Sequence, residues 1–131
     1  MGYRSDVRIR LTKEDFERLK KEFEEKLIKT EILNWNLFEH LDIYREEKDC
    51  QRFYGEDGEK SADAVYFGWN YLKWYDGYED VEFIENFIFE CKYYAFIRIG
   101  ESMEGDIDSR ADGFEHIWYS YVFDDDEGAT K

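Results

Sequence analysis

Proline is missing altogether from the 131 residues, so no X–Pro bond can slow folding by cis/trans isomerisation. Cysteine occurs only at Cys50 and Cys91, too few and too widely spaced for a disulfide framework or a Cys-x-x-Cys site. Reduced thiols in a cytoplasm are the expectation. No stretch approaches the roughly 18 consecutive apolar residues that span a membrane. The start, MGYRSDVRIRL, lacks the apolar run of a signal peptide. Asp6 stands where a myristoylation signal carries Ser or Thr. Catalytic signatures are also lacking: no Walker loop, no GxGxxG and no Gly-x-Ser-x-Gly. Only His40 and His116 could act as histidine bases. No nucleophile, base and orienter come together, so an enzyme is not expected.

Positive charge is the other scarcity. Lys and Arg number 18 against 33 Asp and Glu, a formal net charge of −15. The imbalance is regional: residues 1–30 hold nine Lys/Arg and seven Asp/Glu, whereas residues 31–131 hold nine and 26. Such a field repels nucleic acid and anionic membrane and attracts basic protein surfaces. Non-specific duplex DNA binding draws its affinity from Lys/Arg at phosphates, which excludes it as an expectation here.

What is abundant is aromatic: 11 Phe, 11 Tyr and 4 Trp, 20% of the chain. With 43% hydrophobic residues there is material for a real core, and disorder is excluded as the general state.

Tyr3–Leu11 alternates apolar and polar residues, the pattern of a half-buried strand, with Arg4, Arg8 and Arg10 on the face opposite Val7 and Ile9. Thr12 followed by Asp15 predicts a helix start, and Phe16, Leu19, Phe23 and Leu27 make one apolar stripe of a helix over 13–30. Ile32–Tyr44 fits neither period; a loop and then a strand over 38–44 is the reading. Residues 46–63, charged and containing Gly55 and Gly58, read as the long loop. Residues 64–74 read as an aromatic-rich strand. A second helix follows over 79–91, with Val81, Ile84, Phe87, Ile88 and Cys91 inward and Glu79 and Asp80 at its positive end. A strand over 93–99, a polar loop over 101–113 and a last strand over 116–123 complete a single α+β domain, 1–123. Residues 124–131 form an acidic tail.

The order β-α-β-β-α-β plus an extra C-terminal strand is that of the ferredoxin-like split βαβ: an antiparallel sheet with two helices on one face and the other face open. The strands 3–11 and 93–99 should be neighbours.

MGYRSDV at the start, FGWNYLKWYDGYEDV at 67–81, FIRIGES at 96–102 and the Asp-rich end resemble small uncharacterised proteins of bacteriophages and prophages of Gram-positive bacteria. The resemblance touches about a third of the chain. It implies a phage accessory protein acting in the host cytoplasm and brings no active site with it. Where that group carries IGE-x-x-x-DIE, this chain has the longer IGESMEGDIDSR.

Two functional surfaces are expected. The first is acidic, carboxylates standing in for phosphates in the basic groove of a nucleic-acid-binding host protein, such as a defence protein the phage must block. Its residues are the loop and tail acids Glu56, Asp57, Glu59, Asp106, Asp108, Asp124, Asp125 and Asp126. The bland alternative is that this charge only keeps the protein soluble. The second is the open sheet face, where Arg4, Arg8 and Arg10 would meet Tyr94, Phe96 and Arg98. Arginines for phosphate beside aromatics for bases suit a small nucleotide or single-stranded RNA. The competing expectation for that face is that its aromatics are buried in a homodimer or under the extra strand. Asp106, Asp108 and Asp112 resemble a calcium loop, but Arg110 stands where the third ligand belongs, so no metal and no cofactor are expected.

Overall fold

A computed structural model describes residues 4–50, 62–75, 77–101 and 106–117. The elements run β1 (Ser5–Thr12), α1 (Lys13–Phe23), β2 (Ile43–Cys50), β3 (Ala62–Leu72), α2 (Glu79–Glu90), β4 (Tyr94–Gly100) and β5 (Ile107–Asp112). They form an α+β fold with one five-stranded antiparallel sheet, ordered β2-β3-β1-β4-β5. That arrangement is compatible with a ferredoxin-like fold. β1 and β4 are neighbours, paired from Ser5↔Gly100 to Leu11↔Tyr94.

The α1 start is built as its residues dictate. Thr12 takes extended geometry and its hydroxyl accepts the Asp15 backbone N–H at 3.2 Å, which satisfies one of the orphan donors of the first turn. Phe16, Leu19 and Phe23 are buried along the stripe. Beyond Phe23 the helix widens: Glu24–Ile28 is a π-type turn, with Lys29 N–H reaching back to the Glu24 carbonyl at 2.9 Å. The wider turn still delivers Leu27 to the core. In α2, Val81, Ile84 and Ile88 are buried, while Phe87 is only half-buried. Both stripes join Val7, Ile9, Leu11, Val65, Phe67, Trp69 and Phe96 in one core against a single sheet face.

Three expectations are corrected. The strand placed at 38–44 is displaced: Leu37–Glu39 is a single 3-10 turn capped by the Asn36 side chain, and β2 occupies Ile43–Cys50. Residues 46–50, read as loop, are therefore strand. Residues 107–112, also read as loop, are β5, whose Ile107 and Ala111 pack inward while Asp108 and Arg110 take the other side. Of the strand expected over 116–123, residues 118–123 lie outside the described residues, and His116 and Ile117 belong to no strand.

The far face of the sheet is closed as well. Ile43, Cys50, Ala64, Tyr66, Ala95, Ile97 and Ile99 form a second buried cluster with Phe114 and Ile117. β1 and β3 approach closely inside it. A methyl added at Gly68 would lie 2.0 Å from the Val7 carbonyl oxygen and 3.0 Å from Arg8 Cδ. The first contact is main chain, which no rotamer relieves. Gly68→Ala is expected to destabilise the fold by about 1–3 kcal/mol, read as a lower denaturant midpoint with an unchanged slope.

Candidate functional site

The open, arginine-lined face does not occur. Arg8 and Arg10 are 3% and 0% exposed. Arg8, crossing Gly68, donates to the carbonyls of Val7 (3.0 Å) and Trp69 (2.9 Å) and to the Asn70 side-chain oxygen. Arg10 grips both oxygens of Glu47, at 2.6 and 3.2 Å, and Arg45 donates to the same carboxylate at 2.8 Å. The guanidinium groups of Arg10 and Arg45 also lie over the Tyr66 ring, 4.8 and 5.0 Å from its centre. Burial alone would raise the Glu47 pKa. The hydrogen bonds and charges of Arg10 and Arg45 outweigh it and hold the carboxyl below its ordinary value.

Register explains the correction. Arg8 pairs with Ile97 and Arg10 with Ala95, so the side chains sharing the arginine face are Ala95, Ile97 and Ile99. Tyr94 and Phe96 sit on the helix side, where Phe96 meets Phe89 and Trp74 at ring separations of 5.5 and 6.2 Å. Arg98, on the same side of β4, donates to Asp106 (2.9 Å) and Ser5 (3.2 Å). Arg4 lies over the exposed Tyr71 ring at 5.3 Å. The six residues expected to share a ligand face are thus divided between two faces and one sheet end.

Of the eight acids proposed from sequence, Glu56, Asp57, Glu59, Asp124, Asp125 and Asp126 lie outside the described residues. The other two are held by arginines of their own sheet edge: Asp106 by Arg98, and Asp108 by Arg110 at 3.1 and 3.2 Å. Arg98, Asp108 and Arg110 line a small opening of about 360 Å³ beside α2, together with Trp74, Tyr75 and Glu85. It balances two guanidiniums against two carboxylates.

Sequence reasoning placed Glu79 and Asp80 at the start of α2 but missed the acid row that the helix carries. That helix carries Glu79, Asp80, Glu82, Glu85 and Glu90 and no Lys or Arg. Glu79, Glu82, Asn86 and Glu90, spaced three, four and four residues apart, form one exposed row. α1 differs, since its acids alternate with cations: Arg18 bridges to Asp15, and Lys26 bonds Glu22 at 3.1 Å. A charge count of each helix would have separated them. Burial raises the Asp80 pKa, although its carboxylate accepts the Val81 N–H at 2.8 Å.

Nucleophile chemistry has little support among the described residues. Burial, with the negative charge of Asp15, pushes the Cys91 thiol up to about 12, and it donates to the Phe87 carbonyl at 3.3 Å. It stays protonated at neutral pH. Ser109 Oγ lies 3.4 Å from His116 Nδ1 and donates to the Ile117 carbonyl at 3.3 Å. No group of three His, Cys, Asp or Glu among the described residues could hold a metal, and no helix there is long and apolar enough to cross a membrane.

The exposed apolar surface is concentrated. Among the described residues, Ile32, Trp35, Tyr71 and Tyr78 are the exposed large hydrophobics, at 53%, 56%, 70% and 44%. Pairing of Ser5 with Leu72 puts Tyr71 at the end of the sheet where β1 begins. α1, which leaves the other end of β1, and α2, which leads back to the β4 start beside Leu11, put the residues after α1 and Tyr78 before α2 toward that same end. Asp42 accepts the Asn70 N–H at 2.8 Å, and Asp6 accepts the Tyr71 N–H at 2.9 Å. Those bonds fasten the loop before β2 and the start of β1 to the end of β3. Tyr71 holds φ at 56°, a left-handed conformation costing a bulky residue about 1–3 kcal/mol. Trp35 stacks flat on His40, rings 3.8 Å apart and 9° from parallel. Tyr75 and Tyr78 meet edge to face at 5.2 Å.

No family model, no curated protein and no solved structure matches the chain.

Proposed function

We propose that this chain is a non-enzymatic accessory protein of phage type, with a ferredoxin-like split βαβ scaffold. In the host cytoplasm it binds a basic, nucleic-acid-binding protein and blocks it. A host defence protein is the leading target, and carboxylates occupy the groove meant for phosphates. The observation that carries this reading is the exposed acid row of α2, unrelieved by any Lys or Arg in that helix. A rigid helix holds charges at set intervals, which loop acids do not. The deficit of cations over residues 31–131 supplies the field that steers a basic partner in.

Capture of the bound protein from host lysate identifies the partner, and affinity is then measured against salt. The complex should weaken as salt rises, since exposed charges are screened beyond about 8 Å at physiological ionic strength. Nucleic acid should compete for the site. Glu82→Lys with Glu90→Lys should weaken binding more than Glu17→Lys with Glu24→Lys on the mixed-charge helix. Equal losses would mean that net charge alone acts, and an affinity indifferent to salt would reject mimicry.

A further inference from the structure

We infer that the aromatic end of the sheet is the docking site for an arginine-rich segment of the partner protein; this rests on the reading above and names where the contact is made. Soluble domains scatter exposed apolar residues singly. Here Ile32, Trp35, Tyr71 and Tyr78, every large hydrophobic exposed among the described residues, gather at one end. Three of the four are Trp or Tyr, the residue types that dominate binding hot spots.

Charge selects the occupant. Glu31, Glu39, Asp42, Glu79 and Glu101 are exposed at this end, against Lys29, Lys73 and the half-buried Arg4. Aromatic rings set among carboxylates attract cations by two routes at once, through the ring face and through the paired anion. A planar guanidinium uses both better than an ammonium. The protein shows the first of these routes on itself: the Arg4 guanidinium lies over Tyr71 at 5.3 Å. Tyr71 nonetheless remains 70% exposed. A fully apolar partner would leave the surrounding carboxylates desolvated and unpaired, which disfavours it.

Placement links this end to the acid row. Tyr78 is the residue immediately before α2, and Glu79 opens the row. A basic segment seated on the aromatics would therefore continue along Glu82 and Glu90.

The test uses the full chain and two synthetic probes, nona-arginine and nona-lysine, titrated by calorimetry at low salt. Tyr71→Gly suits the left-handed backbone and Trp35→Ala removes an exposed ring, so both should melt like wild type. Each should weaken nona-arginine binding by about fivefold or more, and nona-lysine should bind more weakly than nona-arginine. Wild-type affinity in both aromatic variants overturns the docking site, as does the absence of any nona-arginine binding. If only Glu82→Lys with Glu90→Lys weakens binding, the acidic-mimic reading survives and the docking site falls. If only the aromatic variants do, the docking site stands and the α2 row loses its role. Concentration-dependent self-association abolished by Trp35→Ala would assign the patch to a second copy and overturn the inference.

Discussion

Glu47→Gln should cost about 3 kcal/mol of stability at neutral pH. Removing one member of a buried ion pair costs about 3–5 kcal/mol. The lower end applies because the Glu47 side chain is 16% exposed, whereas Arg10 is at 0%. Glutamine keeps the shape and removes the charge that Arg10 and Arg45 share. The pH dependence has a definite sign. The folded state holds the Glu47 pKa below its ordinary value, so the unfolded chain binds the proton more readily. The stabilisation is then complete above the unfolded carboxylate pKa, about 4.3, and is lost as pH falls through the lower, folded value. Denaturant midpoints of wild type and variant should differ at pH 7 and converge in stronger acid. Parallel curves throughout would show that the carboxylate is not what holds the arginines.

Phe23→Ala should be equally severe, about 3–5 kcal/mol, enough to unfold a domain of ordinary stability. Phe23 is fully buried, with Phe38 at 5.1 Å and Phe83 at 5.9 Å, both near edge to face. Removing the ring opens a cavity between α1, the turn before β2 and α2, where three separate segments would have to collapse together. Phe87→Ala should cost only about 1 kcal/mol, since a half-buried ring returns a fraction of its transfer energy. Phe87 lies at the margin of the core, beneath the Arg18 guanidinium at 4.5 Å. The sequence pattern treats Phe87 and Phe23 alike because both fall on a helical stripe. Comparison of the two thermal midpoints checks the distinction, and a Phe87 variant as unstable as the Phe23 variant would place the α2 core face wrongly.

Periodicity and capping chemistry are local, and elements that depend on them were legible. Thr12 and Asp15 mark the start of α1, the alternation from Val7 to Leu11 marks β1, and the spacing of Val81, Ile84 and Ile88 marks α2. β2 and β5 were not legible, because an edge strand packs little and needs few apolar residues. Residues 46–50 of IYREEKDC and all of IDSRAD read as loop for that reason. The interior arginines were hidden by a different cause. Arg is almost never fully buried unless paired, and the Arg10 partner Glu47 lies 37 residues away in a segment read as loop. The face assignment of β4 failed because both alternations, Tyr94–Phe96 and Ala95–Ile97–Ile99, are apolar, and only the register against Arg8 and Arg10 decides between them. The α2 acid row was present in the sequence but lost against 33 acids. The aromatic end is a property of topology, assembled from residues 32 to 78 apart in no pattern a local window detects.

Those same unimpressive edge strands govern how copies of the molecule treat one another. A sheet whose outer strands are long, flat and apolar recruits further strands and grows into aggregates. β2 ends the described sheet on one side with Glu46, Lys48 and Asp49 exposed, and its pairing with β3 slips between Glu47 and Cys50, where Asp49 turns to φ 52°. A strand arriving there would meet a kinked backbone and a fringe of charge. β5 is six residues long and carries Asp108, Arg110 and Asp112. In a chain this rich in aromatics, the outer strands of the described sheet thus present charged or bent margins to any further strand.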